Sequence, residues 1–140
     1  MPYVHREIEP RLTALVKQFP SLGGPMAGAL FETYCVQETV KALLFQGITP
    51  RLYYLRLPTG LEVDLLIERD TRLFPYEIKL TKTPRLAMAD ALRRLTSLFP
   101  KLPLQPGGLL CLAEDRVPLS KNVSIQPLTD YWRWLKAPTA

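Results

Sequence analysis

Within EVDLLIERDTRLFPYEIK, residues 62–79, two apolar runs are interrupted by Glu62, Asp64, Glu77 and Lys79. Val63, Leu65 and Ile67 alternate with acids in the first run, and Phe74, Tyr76, Ile78 and Leu80 alternate with Glu77 and Lys79 in the second. That period of two marks strands. If both apolar sets share a buried face, opposed residues must have numbers of odd sum. A turn at RDTR then sets Asp64 opposite Glu77 and Glu62 opposite Lys79, provided no bulge falls between them. Two opposed carboxylates repel, at a cost of up to about 1 kcal/mol. A divalent cation removes that conflict, because Mg²⁺ takes one or two protein carboxylates and keeps positions for water and phosphate oxygens. The other reading of the same residues is a solvated hairpin face, with Glu62 paired to Lys79 and the remaining acids relieved by water.

A third acid comes from upstream. The spacing predicts a helix over 29–46, stopped by Gly47, with Leu30, Phe31, Tyr34, Val36, Val40, Leu43 and Leu44 apolar. Steps of three and four from Glu32 reach Cys35, Val36, Thr39, Val40 and Leu43, so Glu32 is the charged group on an apolar stripe. A carboxylate facing a core is costly unless paired or bound to a cation. Alternatively, Glu32 sits in the first turn, where the helix dipole favours negative charge. Glu38 and Lys41 fall on another face as a solvated pair.

The elements that must position these residues follow from periodicity. LYYLRL (52–57), LEVDLLIE (61–68) and LFPYEIKL (73–80) read as an antiparallel three-stranded meander. Thr83 is expected to cap a helix with Pro84 at its first position and a stripe of Met88, Ala91, Leu92, Leu95, Leu98 and Phe99. A Pro-rich loop, 102–106, leads to a buried strand over 107–113, a shorter strand in VSIQPL and a brief helix in DYWRWLK. Upstream, Ile8, Leu12, Leu15, Val16 and Phe19 recur at helical spacing, and Pro20 to Gly28 reads as a connector. The expectation is a single α/β domain: N-terminal helix and connector over 1–23, core over 24–113, and C-terminal strand and helix over 114–140. Its mixed sheet is flanked by helices.

The 140 residues suffice for one domain with a real core, and 47% hydrophobic content argues against disorder. A net charge of +5 favours polyanionic partners without identifying one. Cys35 and Cys111 lack CxxC spacing and sit in apolar contexts, which reads as buried free thiols of a cytoplasmic protein. No run is long and apolar enough for a membrane helix. Lys82, Arg85, Arg93 and Arg94 flank the site or lie on the helix after it, where they would meet phosphates or simply form a solvated face. Tyr54 and Arg56 should share the face of Asp64 if PTG pairs Leu57 with Leu61, as substrate contacts or site support. Trp132 and Trp134 are two apart on a short helix, so one is expected at an interface. His5 reads as a bystander.

Taken together, GALFE at 28–32, EVD at 62–64 and EIK at 77–79 resemble the PD-(D/E)XK nuclease superfamily. More narrowly, GPMAGALFETYCVQE, YYLRLPTGLEVDLLIE and PYEIKLTKT look like the C-terminal domain of unknown function of many bacterial and archaeal AAA+-type ATPases. The resemblance covers about Gly24 to Pro84; Val63 stands where the superfamily often has proline. It implies a restriction-endonuclease-like core and a Mg²⁺- or Mn²⁺-dependent nuclease, with DNA as the expected partner. By the same resemblance Asp64, Glu77 and the backbone carbonyl of Ile78 would ligate metal. Glu32 would complete or support that site, and Lys79 would orient the attacking water and steady developing charge. No GxxxxGK[ST] phosphate loop occurs, so ATP hydrolysis by that route is not expected. The competing class is a non-catalytic module that binds nucleic acid, an ATPase partner or a second copy of itself.

Overall fold

The computed structural model describes residues 24–138; the expected N-terminal helix, most of the connector and His5 lie outside the described residues. The chain runs α1 (Gly24–Phe45), β1 (Leu52–Arg56), β2 (Glu62–Arg69), β3 (Arg72–Ile78), a 3-10 turn (Leu86–Ala89), α2 (Asp90–Leu98), β4 (Gly107–Cys111), β5 (Pro118–Ser120), β6 (Val123–Pro127) and α3 (Leu128–Lys136). The strands form a six-stranded mixed sheet in the order β1-β2-β3-β4-β6-β5. β1, β2 and β3 are the expected antiparallel meander, β3, β4 and β6 run parallel, and β5 returns antiparallel to β6. The α/β class and mixed sheet match the sequence reading; the three-residue β5, too short to carry a periodicity, was not foreseen.

α1 begins at Gly24, five residues before the expected start. Gly24 takes a positive φ of 68°, and Pro25 follows at the first helical position, where its missing N–H costs nothing. PMAG is therefore helix, not connector. The C-terminus follows expectation: Gly47, φ 73°, donates its N–H to Leu44 O at 2.9 Å while Ile48 N donates to Leu43 O at 3.0 Å. These two bonds close a Schellman motif.

The helices cover both faces of the sheet. On one, Phe31, Cys35 and Leu43 of α1 and Tyr131, Trp132 and Leu135 of α3 bury Leu65, Ile67, Tyr76, Ile78 and Leu110. On the other, Ala89, Leu92 and Leu95 bury Leu61, Val63, Leu66 and Val123. Val63 thus packs opposite to Leu65 and Ile67, contrary to the alternation read from sequence. The cause is a β-bulge: between the pairs Tyr53–Leu66 and Leu55–Val63, Tyr54 faces two residues of β2, Asp64 and Leu65. Thr83 does not cap a helix; its N–H goes to Thr81 Oγ1 at 3.1 Å, and α2 starts only at Asp90 after the 3-10 turn. Both Trp132 and Trp134 join the α1–α3 core, because Trp134 leans onto Phe74 (ring centroids 5.0 Å apart) beneath the Arg69 guanidinium. Cys35 and Cys111 are buried free thiols, as expected.

One buried polar contact ties α1 to α3. Thr39 Oγ1 donates to Cys35 O at 2.7 Å and accepts from the Tyr131 hydroxyl at 2.6 Å. Thr39→Val keeps the shape but strands the Tyr131 hydroxyl, at an expected cost of about 1–3 kcal/mol. Urea denaturation should show that loss, and adding Tyr131→Phe, which removes the stranded group, should return part of it.

Candidate active site

β2 and β3 pair as Leu65–Tyr76, Leu66–Pro75, Ile67–Phe74, Glu68–Leu73 and Arg69–Arg72, the odd-sum register read from the alternation. The turn is shorter than RDTR: Asp70 and Thr71 alone form it, with φ of 49° and 63°, as two-residue hairpins require. The backbone ladder ends at Leu65–Tyr76, where the bulge falls, so the expected opposition of Asp64 and Glu77 is not a strand pair; Asp64 nears Glu77 through its side chain. The Asp64 carboxylate turns in across the hairpin, its Oδ2 accepting the Ile78 N–H at 2.8 Å.

Glu77 lies on a central strand with helices over both faces of the sheet, so it is 4% exposed. Its Oε2 stands 3.4 Å from Lys79 Nζ, and its Oε1 is buried without a hydrogen-bond partner. Burial first, and the Asp64 charge second, push its carboxyl up to about 8 against the pull of Lys79. A solvated hairpin face is therefore not what this position offers: Glu77 is buried.

Glu32 reaches the same electrostatic neighbourhood from α1. It is half-buried beside the stripe of Phe31 and Cys35, and its pKa is raised by burial, then by Asp64, with Glu62 adding and Lys79 opposing. Because α1 starts at Gly24, Glu32 is well past the first turn, which holds no acid. The helix-dipole explanation for its position falls away.

Lys79 follows β3, anchored through its N–H to Leu110 O at 2.9 Å, with a partly exposed side chain. Its ion-pair partner is Glu77; Glu62 instead pairs with Arg56, Nε to Oε1 at 3.0 Å, because the β1–β2 register sets those two residues directly opposite each other. The expected Glu62–Lys79 pair is therefore replaced by two others. Lys82, Arg85, Arg93 and Arg94 are exposed on the β3–α2 connection and on α2, and Arg93 is engaged with Asp90 at 3.2 Å.

Among the described residues no three His, Cys, Asp or Glu side chains converge into a closed metal-holding group. The donor set at hand is the carboxylate pair Asp64 and Glu77, with Glu32 close enough to feel the Asp64 charge. Oxygen-only donors suit a hard cation such as Mg²⁺ or Mn²⁺, and one or two protein carboxylates are its usual complement. The partnerless Oε1 of Glu77 fits the same requirement. The bulge that sets Tyr54 against Asp64 was not legible in the sequence, since nothing in LYYLRL or EVDLLIE marks the extra residue.

The comparisons with known proteins bear on this geometry only at the level of family. An uncharacterized protein of Mycobacterium bovis and one of Mycobacterium tuberculosis are each 34% identical over 103 residues, 74% of this chain and 21% of their own length. The chain thus spans about a fifth of the length of these curated relatives. No solved structure matches it. The family model for a domain of unknown function, DUF4143, matches residues 27–131, taking in most of α1, the whole meander, α2 and every strand of the sheet. The chain belongs to the DUF4143 family.

Proposed function

We propose that this domain is a metal-dependent nuclease of the PD-(D/E)XK type, with a restriction-endonuclease-like core, that hydrolyses phosphodiester bonds in DNA. The observation that carries the reading is Glu77: a nearly fully buried carboxylate with an unpartnered oxygen, beside Asp64 and Lys79. An uncompensated acid there is costly to folding, and a bound cation relieves it. The order helix, three-stranded meander, helix, parallel strand also agrees with that superfamily's core.

Asp64, Glu77 and the Ile78 carbonyl would hold Mg²⁺ or Mn²⁺, with Glu32 supporting them from α1. The cation, when bound, supplies Lewis acidity toward the phosphate and water of lowered pKa. Asp64 is oriented for its part by the Ile78 N–H. Lys79, steered by Glu77, orients the attacking water and offers positive charge to the phosphate as negative charge builds on it. Lys82, Arg85, Arg93, Arg94 and Arg56 supply the sequence-independent attraction for the backbone.

Plasmid nicking with and without Mn²⁺ tests the proposal. Wild-type protein should nick negatively supercoiled plasmid, whose torsion opens unpaired segments, only with the cation, and Asp64→Ala and Lys79→Ala should each lose the activity. Persistence of nicking in both variants would assign it to another source. A second reading, a non-catalytic module of an ATPase system, draws on the apolar side chains that α1 leaves outside, Met26 (69% exposed), Leu30 and Leu44, and on the far greater length of the relatives. DNA binding without cleavage at millimolar Mn²⁺ would favour it.

A further inference from the structure

Tyr54 is a large aromatic ring on edge strand β1, 54% exposed, beside the acids. Its place follows from the register. Leu52 packs into the α1–α3 core and Leu55 into the α2 core, so alternation puts Tyr54 and Arg56 on the α1 face of the sheet. Glu32 belongs to that face because α1 covers it. The bulge sets Tyr54 opposite both Asp64 and Leu65, which brings the ring alongside the carboxylate whose Oδ2 is fixed by Ile78 N–H. The phenol feels Glu62, Asp64 and Glu32 as well as Arg56.

A structural role does not account for the ring. Tyr53, its neighbour in sequence, donates its hydroxyl to Glu68 Oε2 at 2.8 Å and so braces β1 on β2. Among the described residues β1 has no strand on its outer side, and Tyr54 stands exposed there. Two residues on, Arg56 is held through its Nε by Glu62 while its side chain is 72% exposed. An open aromatic face next to Asp64 and Glu32, with a guanidinium on the same strand face, has the chemistry of a nucleotide site: a ring for the base, a cation for its phosphate and carboxylates for the metal.

We infer that Tyr54 is the base-stacking platform of the site, so the nucleotide at the reacting phosphate is unpaired and the substrate is single-stranded DNA or a frayed or flapped end. A base within a duplex has both faces covered by its neighbours and cannot use the ring. Stacking tolerates every base, so the inference carries no sequence preference. It rests on the nuclease reading for the cleavage step, whereas the binding step stands independently of it.

The test compares wild type, Tyr54→Phe and Tyr54→Ala on three labelled oligonucleotides of equal length: single-stranded oligo-dT, its duplex with oligo-dA, and an abasic chain with the same phosphates. Anisotropy gives affinity in Ca²⁺, and cleavage is followed in Mn²⁺. Wild type should prefer oligo-dT over the duplex and over the abasic chain. Tyr54→Ala should weaken oligo-dT binding and raise KM by about 10-fold with little effect on the abasic chain, and Tyr54→Phe should stay close to wild type. Equal binding of oligo-dT by wild type and Tyr54→Ala would overturn the inference. So would a Tyr54→Phe loss as large as that of alanine, which would assign the effect to the hydroxyl. If wild type cleaves nothing, the nuclease reading fails, and the anisotropy comparison still decides the role of Tyr54.

Discussion

Glu77→Gln is expected to make the metal-free protein more stable above about pH 8 and to lower Mn²⁺-dependent cleavage by ~100-fold or more, since changes even to residues behind a metal ligand cost 10–100-fold. The two effects share a cause. In the folded chain burial and the Asp64 charge push the Glu77 carboxyl up to about 8, against an ordinary value of 4.5. Between those values the folded protein holds a proton that the unfolded chain has released. The stability belonging to the neutral carboxyl is therefore complete below about pH 4.5 and lost as pH rises through about 8. Glutamine is neutral throughout and keeps nearly the same shape, so the variant escapes that loss. Its advantage should be small at pH 4.5 and reach about 1–3 kcal/mol above pH 8, the range for an unsatisfied buried group. Urea melts at several pH values without divalent ions measure it.

The metal arm of the same experiment runs in the opposite direction. A cation that binds only the folded form stabilises it by about 2.7 kcal/mol at 100 times its Kd. Added Mn²⁺ should thus raise the Tm of wild type at pH 8 and leave that of Glu77→Gln almost unmoved. If both proteins respond equally to Mn²⁺, or neither does, Glu77 is not a ligand.

Gly108→Ala is expected to destabilise the fold by about 1–3 kcal/mol and to reduce activity in the folded fraction, although residue 108 touches none of the acids. A Cβ at Gly108 would lie 2.7 and 2.8 Å from two carbons of the Tyr76 ring and 3.3 Å from Gln126 Cβ. The ring has nowhere to swing, because Tyr131 meets its edge at 5.1 Å between centroids and Trp134 lies at 5.6 Å. Interiors packed at crystal density absorb such an overlap by moving backbone. Gly108 and Tyr76 pair directly between β4 and β3, and Glu77 is the next residue along. A displacement of β3 by a few tenths of an ångström is passed straight to its carboxylate. Combining Gly108→Ala with Tyr76→Leu, which removes the clashing ring atoms, should cost less than the sum of the single changes. Strict additivity would show that the overlap is relieved in another way.

Much of this arrangement was legible in the chain itself. Alternation of apolar and charged residues over 65–76 determined the parity of the β2–β3 register, from Leu65–Tyr76 to Arg69–Arg72, because period two leaves one pairing parity when both apolar sets are buried. Helical spacing placed Glu32 on the stripe that faces the sheet, and Gly47 marked the end of α1, because only glycine takes a left-handed C′ position at little cost. These are local properties, decided within a strand or a turn of helix.

Tertiary structure decided the rest. Whether Glu77 is solvated or buried depended on α2 and β4, which return to cover β3 from more than ten residues away and leave no local trace at Glu77. Glu62 and Lys79 took other partners, Arg56 and Glu77, since the β1–β2 pairing offered Glu62 a directly opposed guanidinium. The bulge at Asp64 and Leu65 moved Val63 to the opposite core and brought Tyr54 alongside the acids. A bulge lengthens one strand relative to its neighbour, so it exists only in the pairing of two segments and in the sequence of neither. The residue types and their register were properties of the sequence alone; the burial that raises the Glu77 pKa, and the open ring beside Asp64, came only with the assembled sheet.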